Sequence, residues 1–157
     1  MGVGTDCSGM EAPLQAMEHL GVSFEHRFSC DVDKHERATI RANFPGGKLF
    51  EDVTTRDNAT APRCDLYVAG FPCQPFSAAG LQQGFQDSCG RGKIFFHVRD
   101  YIEKQRPRVF ILENVSGLVK LNQGRYFAAI QKSLEQLGGY NVCHQILNTK
   151  QHGVPHN

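Results

Sequence analysis

Cys73 lies in Gly70-Phe71-Pro72-Cys73-Gln74-Pro75-Phe76-Ser77, directly after the apolar run Asp65 to Ala69. Two prolines and a glycine exclude a regular helix there and hold the thiol on a stiff loop. A cysteine is nucleophilic as its thiolate, which needs an electropositive or hydrogen-bonding setting. In isolation, a loop cysteine under a proline-rich turn is better explained by packing than by reactivity. Glu113 ends a second apolar run, Arg108 to Leu112, and on its own reads as a strand-end acid paired with a nearby arginine. A third group comes earlier. Gly9, in Asp6-Cys7-Ser8-Gly9-Met10-Glu11, is where backbone could approach a ligand closely. Asp31 follows it by 22 residues, a spacing that suits an acid on ribose hydroxyls; with Asp33 it suits helix capping equally well.

These residues need elements to position them. Short apolar segments alternate with helix-like ones, which predicts α/β layering on a parallel sheet. A first strand ends near Thr5, and a helix runs from Pro13 to Gly21. Phe24 to Cys30 reads as a strand, Asp33 to Phe44 as a helix closed by Pro45-Gly46-Gly47, and Lys48 to Phe50 as a brief strand. Asp65 to Ala69 and Arg108 to Leu112 are strands, with a helix over Lys93 to Gln105 between them. Tyr126 to Leu137 carries apolar residues at helical spacing and stops at Gly138-Gly139; Tyr140 to Leu147 is a last strand. The candidate residues all fall at carboxyl ends of predicted strands, where open parallel sheets bind ligands.

Length and composition narrow the classes. A chain of 157 residues makes one domain with a real core. There is no run of about eighteen apolar residues to span a membrane and no signal-peptide pattern over Met1 to Met10, so an intracellular protein is expected. The six cysteines show neither a CxxC pair nor zinc-like Cys/His spacing, so they are expected reduced and no metal is expected. A formal net charge of +1 does not mark a nucleic-acid binder, and any basic surface must be local or lie in sequence elsewhere.

The octapeptide GFPCQPFS resembles the nucleophile motif of the DNA (cytosine-5) methyltransferases. Other segments follow that family's order: Glu113-Asn114-Val115 is similar to its ENV motif, Gly90-Arg91-Gly92-Lys93-Ile94-Phe95-Phe96 to the segment opening the intervening helix, and Gln151-His152-Gly153-Val154-Pro155 to the start of the next motif. The resemblance implies a Rossmann-like, mostly parallel open sheet with helices on both faces, and a partial catalytic domain over residues 1–157. It implies transfer of methyl from S-adenosyl-L-methionine to carbon 5 of cytosine in double-stranded DNA, with the target base flipped out of the stack. Cys73 would attack carbon 6, turning a poorly nucleophilic carbon 5 into an enamine-like one. Glu113 would contact ring nitrogen 3 and the exocyclic amine, stabilising charge as it develops. The same resemblance gives Ser8, Gly9, Met10, Asp31, Val32, Asp52, Val53, Phe71 and Ile94 to the cofactor, and Pro72, Gln74, Ser77 and Asn114 to the substrate; in a eukaryote the location would be the nucleus.

Two departures accompany the likeness. Cys7 stands where the family has an aromatic, Gly9 is the one retained glycine, Glu11-Ala12 replace glycines, and Val32 replaces an aromatic beside the adenine. After Pro155 the family continues with Gln, a variable residue and arginines, where this sequence reads His156-Asn157. The sheet is therefore expected to be incomplete at its C-terminal end, with a C-terminal region or a complementing chain supplying the target-recognition part. The alternatives are a non-catalytic or split half, and a tRNA cytosine-5 methyltransferase, against which Phe71 and Ser77 speak. Small-molecule methyltransferases share the fold but have no reason to carry GFPCQPFS.

Overall fold

In the computed structural model, residues 1–73 and 91–153 are described. They divide into two compact units, Met1–Val115 and Ser116–Asn157.

The first unit is built on a five-stranded parallel sheet of order β3-β2-β1-β4-β5, from β1 (Gly2–Asp6), β2 (Glu25–Cys30), β3 (Lys48–Phe50), β4 (Leu66–Ala69) and β5 (Val109–Leu112). The chain lays strands outward from β1 to β3, then returns to lay β4 and β5 on the other side. This reversal makes the gap between the ends of β1 and β4 a topological switch point, where such sheets open a crevice. Leu66-Tyr67-Val68-Ala69 and Val109-Phe110-Ile111-Leu112 are the continuous apolar runs typical of parallel strands, and they pair in register, Leu66 with Val109 through Ala69 with Leu112.

Helices α1 (Ala12–His19), α2 (Lys34–Asn43) and α3 (Ile94–Gln105) accompany the sheet, the last preceded by a 3-10 turn at Arg91–Lys93. In α3, Phe95, Val98, Tyr101, Ile102 and Gln105 are buried, the three-and-four spacing of a core-facing stripe. Leu14 of α1 and Ile40 of α2 are buried likewise. The core centres on Phe28, whose ring lies 5.2 Å from Tyr101, 6.0 Å from Phe50 and 6.3 Å from Tyr67. Gly4 makes room for it: a Cβ there would stand 2.2 Å from Phe28 Cε1. The register between β1 and β2 slips at this point, between Val3 and Gly4.

The second unit contains α4 (Gly117–Lys120), a 3-10 stretch at Leu121–Gly124, α5 (Arg125–Glu135) and a 3-10 turn at Thr149–His152. Leu118, Ile130 and Leu134 are its buried apolar residues, and Phe127 meets His144 edge to face at 4.6 Å. The strand expected over Tyr140 to Leu147 does not form: that segment has no regular structure, and Ile146 and Leu147 are 57% and 63% exposed. A strand exists through its ladder partners, and among the described residues none pairs with this segment. Its apolar residues alone do not make it one.

Candidate active site

Each candidate residue in the first unit except Ile94 follows a strand at its carboxyl end. Ser8, Gly9 and Met10 form the turn after β1. Asp31 and Val32 follow β2, Asp52 and Val53 follow β3, and Gly70 to Cys73 follow β4. Glu113 and Asn114 follow β5, and Ile94 begins α3. Parallel pairing brings these turns to one edge.

The turns are stitched sideways. Ser8 N–H donates to the Cys30 carbonyl at 3.1 Å, the Ser8 hydroxyl donates to the same oxygen at 3.2 Å, and it accepts from Cys30 N–H at 3.2 Å. Asp31 N–H donates to the Phe50 carbonyl at 3.3 Å, linking the β2 and β3 turns. The 22-residue interval between Gly9 and Asp31 becomes a contact: Gly9 N–H donates to Asp31 Oδ2 at 2.9 Å. The capping alternative divides between the two acids. Asp33 caps α2, accepting from His35 N–H at 2.7 Å and Glu36 N–H at 3.4 Å, while Asp31 holds Asp33 N–H at 2.9 Å and reaches across to β1. Gly9 has φ +52, and a Cβ there would meet nothing within 4 Å, so open space borders the turn. Met10 and Val32 are 69% and 71% exposed beside it. Val53 and Phe71 are instead buried, at 4% and 3% exposure, and support the turns from beneath. Asp52 uses Oδ1 to hold Thr54 N–H and its hydroxyl, each at 2.7 Å.

On the other side of the switch point, the β4 loop and the end of β5 are adjacent. Glu113 N–H donates to the Ala69 carbonyl at 3.0 Å. Asn114 Nδ2 donates to the Phe71 carbonyl at 2.8 Å, a clamp on the backbone two residues before Cys73. Glu113 Oε2 lies 3.4 Å from where a Cβ on Gly70 would stand, so the carboxylate reaches the start of the loop that carries Cys73. Glu113 is exposed, and Pro72 and Cys73 are half-buried. Gln74 and Ser77, two expected substrate contacts, lie outside the described residues.

Beneath both halves is a polar cluster that sequence reasoning missed. Asp6, the last residue of β1, is gripped by Arg56 Nη1 and Nη2 on its two oxygens, each at 2.6 Å, and also accepts from the Tyr67 hydroxyl. The Arg56 guanidinium sits 5.0 Å from the ring of Phe28, 5.1 Å from Tyr101 and 5.2 Å from Phe50, an aromatic box suited to a cation. Burial pushes the Asp6 carboxyl up, with Arg56 working against that rise. Burial and the Asp6 charge push the Cys7 thiol up to about 12, so that cysteine stays protonated near neutral pH. Glu11 is the other missed residue: fully buried, its carboxyl is pushed up by burial, with hydroxyls of Ser29 and Thr5 bonded to it opposing. Nothing in the spacing of Asp6 and Arg56 announces the pair; for Glu11 the one signal is an acid where the resembling family has glycine.

A cavity of about 550 Å³ opens at the opposite end of the sheet, by the amino ends of the strands, with Gly2, Arg27, Arg63 and Arg108 among its walls. It is separate from the candidate residues.

Comparison with known proteins agrees with this arrangement. The family model for C-5 cytosine-specific DNA methylase matches residues 5–157. The type II methyltransferase M.NgoBI of Neisseria gonorrhoeae is 42% identical over 128 residues, covering 82% of this chain and 39% of the relative. M.BanI of Aneurinibacillus aneurinilyticus is 40% identical over 159 residues, covering 99% of this chain and 34% of the relative. The chain thus spans about two fifths or less of the length of these relatives. Among solved structures, a putative prophage-encoded DNA modification methyltransferase of E. coli aligns with TM-score 0.66 at 20% identity, over 87% of this chain and 38% of that one. The S. pombe Dnmt2 methyltransferase aligns with TM-score 0.60 at 14% identity, over 84% and 40%. At such identities these two speak for the fold, a Rossmann-like parallel sheet with helices. By the extent of the family match and the order of its motifs, the chain belongs to the C-5 cytosine-specific DNA methylase family.

Proposed function

We propose that this chain is the nucleophile-bearing and cofactor-binding part of an enzyme that methylates carbon 5 of cytosine in double-stranded DNA. The target-recognition part would come from a further segment or a complementing chain, since the relatives are more than twice as long. What supports the reading is the adjacency of the β4 loop and the end of β5, with the Cys73 loop beside Glu113 on one side of the switch point.

The methyl donor is S-adenosyl-L-methionine, and the residues fit it. Gly9 leaves open space over its backbone, Asp31 offers a carboxylate beside it, and exposed Val32 supplies an apolar face for a base. When bound, this cofactor supplies an electrophilic methyl group. The chain's own residues would do the rest. The Cys73 thiolate adds to carbon 6 of an extruded cytosine, and the displaced electron pair makes carbon 5 nucleophilic. Glu113 donates a proton to nitrogen 3 and accepts from the exocyclic amine, so that protonation of the ring offsets negative charge as it builds. After methylation, loss of the carbon 5 proton drives the Cys73 sulfur out and restores the aromatic ring. Asn114 holds the loop backbone through the Phe71 carbonyl, so the thiol arrives from a fixed direction. Acting on DNA, the enzyme would work inside the cell.

A mechanism-based trap tests this. The chain with its complementing region, given S-adenosyl-L-methionine and DNA containing 5-fluorocytosine, is expected to form a covalent adduct, because fluorine at carbon 5 cannot leave as a proton. Cys73→Ser should abolish the adduct. An adduct that persists in Cys73→Ser removes the nucleophile assignment.

A further inference from the structure

Glu11 has no part in the chemistry proposed above, yet it is fully buried and stands in the left-handed region at φ 63, ψ 45, disfavoured for a residue with a Cβ. Its N–H closes the turn after β1 by donating to the Ser8 carbonyl at 2.9 Å. Its side chain folds back under that turn. Oε1 accepts from the Thr5 hydroxyl of β1 at 2.6 Å and from the Ser29 hydroxyl of β2, and Thr5 in turn meets the Ser8 hydroxyl at 2.8 Å. Oε2 is buried without a hydrogen-bond partner. An acid that served only to fill space would not require a disfavoured backbone conformation and a buried orphan oxygen. The cost falls at one place, directly beneath the turn whose Gly9 amide meets Asp31.

We propose that Glu11 is a positioning residue for the methyl-donor site: its buried carboxyl joins β1 through Thr5 to β2 through Ser29, and so fixes the Ser8–Gly9 turn against Asp31. This rests on the reading of that turn as the cofactor site. Burial also pushes the carboxyl up, which accords with a group kept for its hydrogen bonds more than its charge.

The discriminating variant is Glu11→Gly, because glycine relieves the left-handed backbone while removing the strut. Two readouts are taken on the full chain: amide hydrogen exchange at Gly9 and Cys30 by NMR, and S-adenosyl-L-methionine affinity by calorimetry. Glu11→Gly is expected to speed exchange at both amides about tenfold, and to weaken cofactor binding about tenfold, the scale of one or two lost hydrogen bonds. Exchange in β4 and β5 should not change. Glu11→Gln keeps an acceptor for both hydroxyls and should restore both readouts. Should Glu11→Gly fail to fold, Thr5→Val with Ser29→Ala removes the same bonds from the strand side and is read in the same way. Unaltered exchange at Gly9 and Cys30 would overturn the strut. Altered exchange with no cofactor binding even by the wild-type chain would instead overturn the cofactor reading, and with it the purpose assigned here.

Discussion

Arg56 holds both carboxylate oxygens of Asp6 at 2.6 Å, and the two side chains are 1% and 0% exposed. The pair joins the end of β1, where the Ser8–Gly9 turn begins, to the segment that follows Asp52. A buried ion pair is stabilising only if nearly every charge in it is met. Here the Tyr67 hydroxyl completes Asp6, and three aromatic rings enclose Arg56. Arg56→Ala would leave a buried carboxylate with one neutral donor. A loss of about 3–5 kcal/mol is expected in urea unfolding, and the double variant Arg56→Met with Asp6→Leu should lose clearly less.

Gly4 and Phe28 occupy one space. An alanine at position 4 would bring its methyl to 2.2 Å from the Phe28 ring, with further ring carbons at 2.6 and 2.8 Å. Gly4→Ala is expected to cost about 1–3 kcal/mol through overpacking. Gly4→Ala combined with Phe28→Leu should recover part of it, a coupling that a double-mutant cycle on melting midpoints would register.

Glu11 gives stability a pH dependence of known sign. Its folded carboxyl is raised above the ordinary 4.5, so the native state holds that proton more tightly than the unfolded chain. The contribution is therefore full below the unfolded value and lost as pH rises through the folded one. Glu11→Gln cannot ionise. Its melting temperature relative to wild type should climb with pH above about 4.5, then level off once Glu11 is ionised in both states. A difference independent of pH would refute the assignment.

The cysteines should separate by reactivity. Burial holds the Cys64 thiol up at about 11, where it also meets the Tyr101 hydroxyl at 3.3 Å, and Cys7 stands at about 12. Cys30 is buried, whereas Cys143 is exposed. In a neutral-pH iodoacetamide time course followed by peptide mass spectrometry, Cys143 is expected to be alkylated well before Cys7, Cys30 and Cys64.

How legible this was in sequence depended on the range of the interaction. Strands β4 and β5 were readable because each is a short continuous apolar run bounded by polar or turn residues, and α3 because its apolar positions repeat every three or four residues. The position of Asp31 beside Gly9 followed from one βαβ unit, a local device. Tyr140 to Leu147 failed because a strand depends on a partner that its own residues do not encode. The Asp6–Arg56 pair was invisible for a related reason: it closes 50 residues of chain, and neither residue belongs to a pattern. Glu11 was visible as an oddity, but its role required the positions of Thr5 and Ser29.

β1 is made first yet ends at the centre of the sheet, with Val3 opposite Leu66. On the ribosome, its inner edge must wait for β4 to emerge, some seconds at about 5–20 residues per second. The other edge is taken by β2. Translational pausing between Asp6 and Ala69 would thus prolong the time for which this strand edge stays open to pairing with other chains.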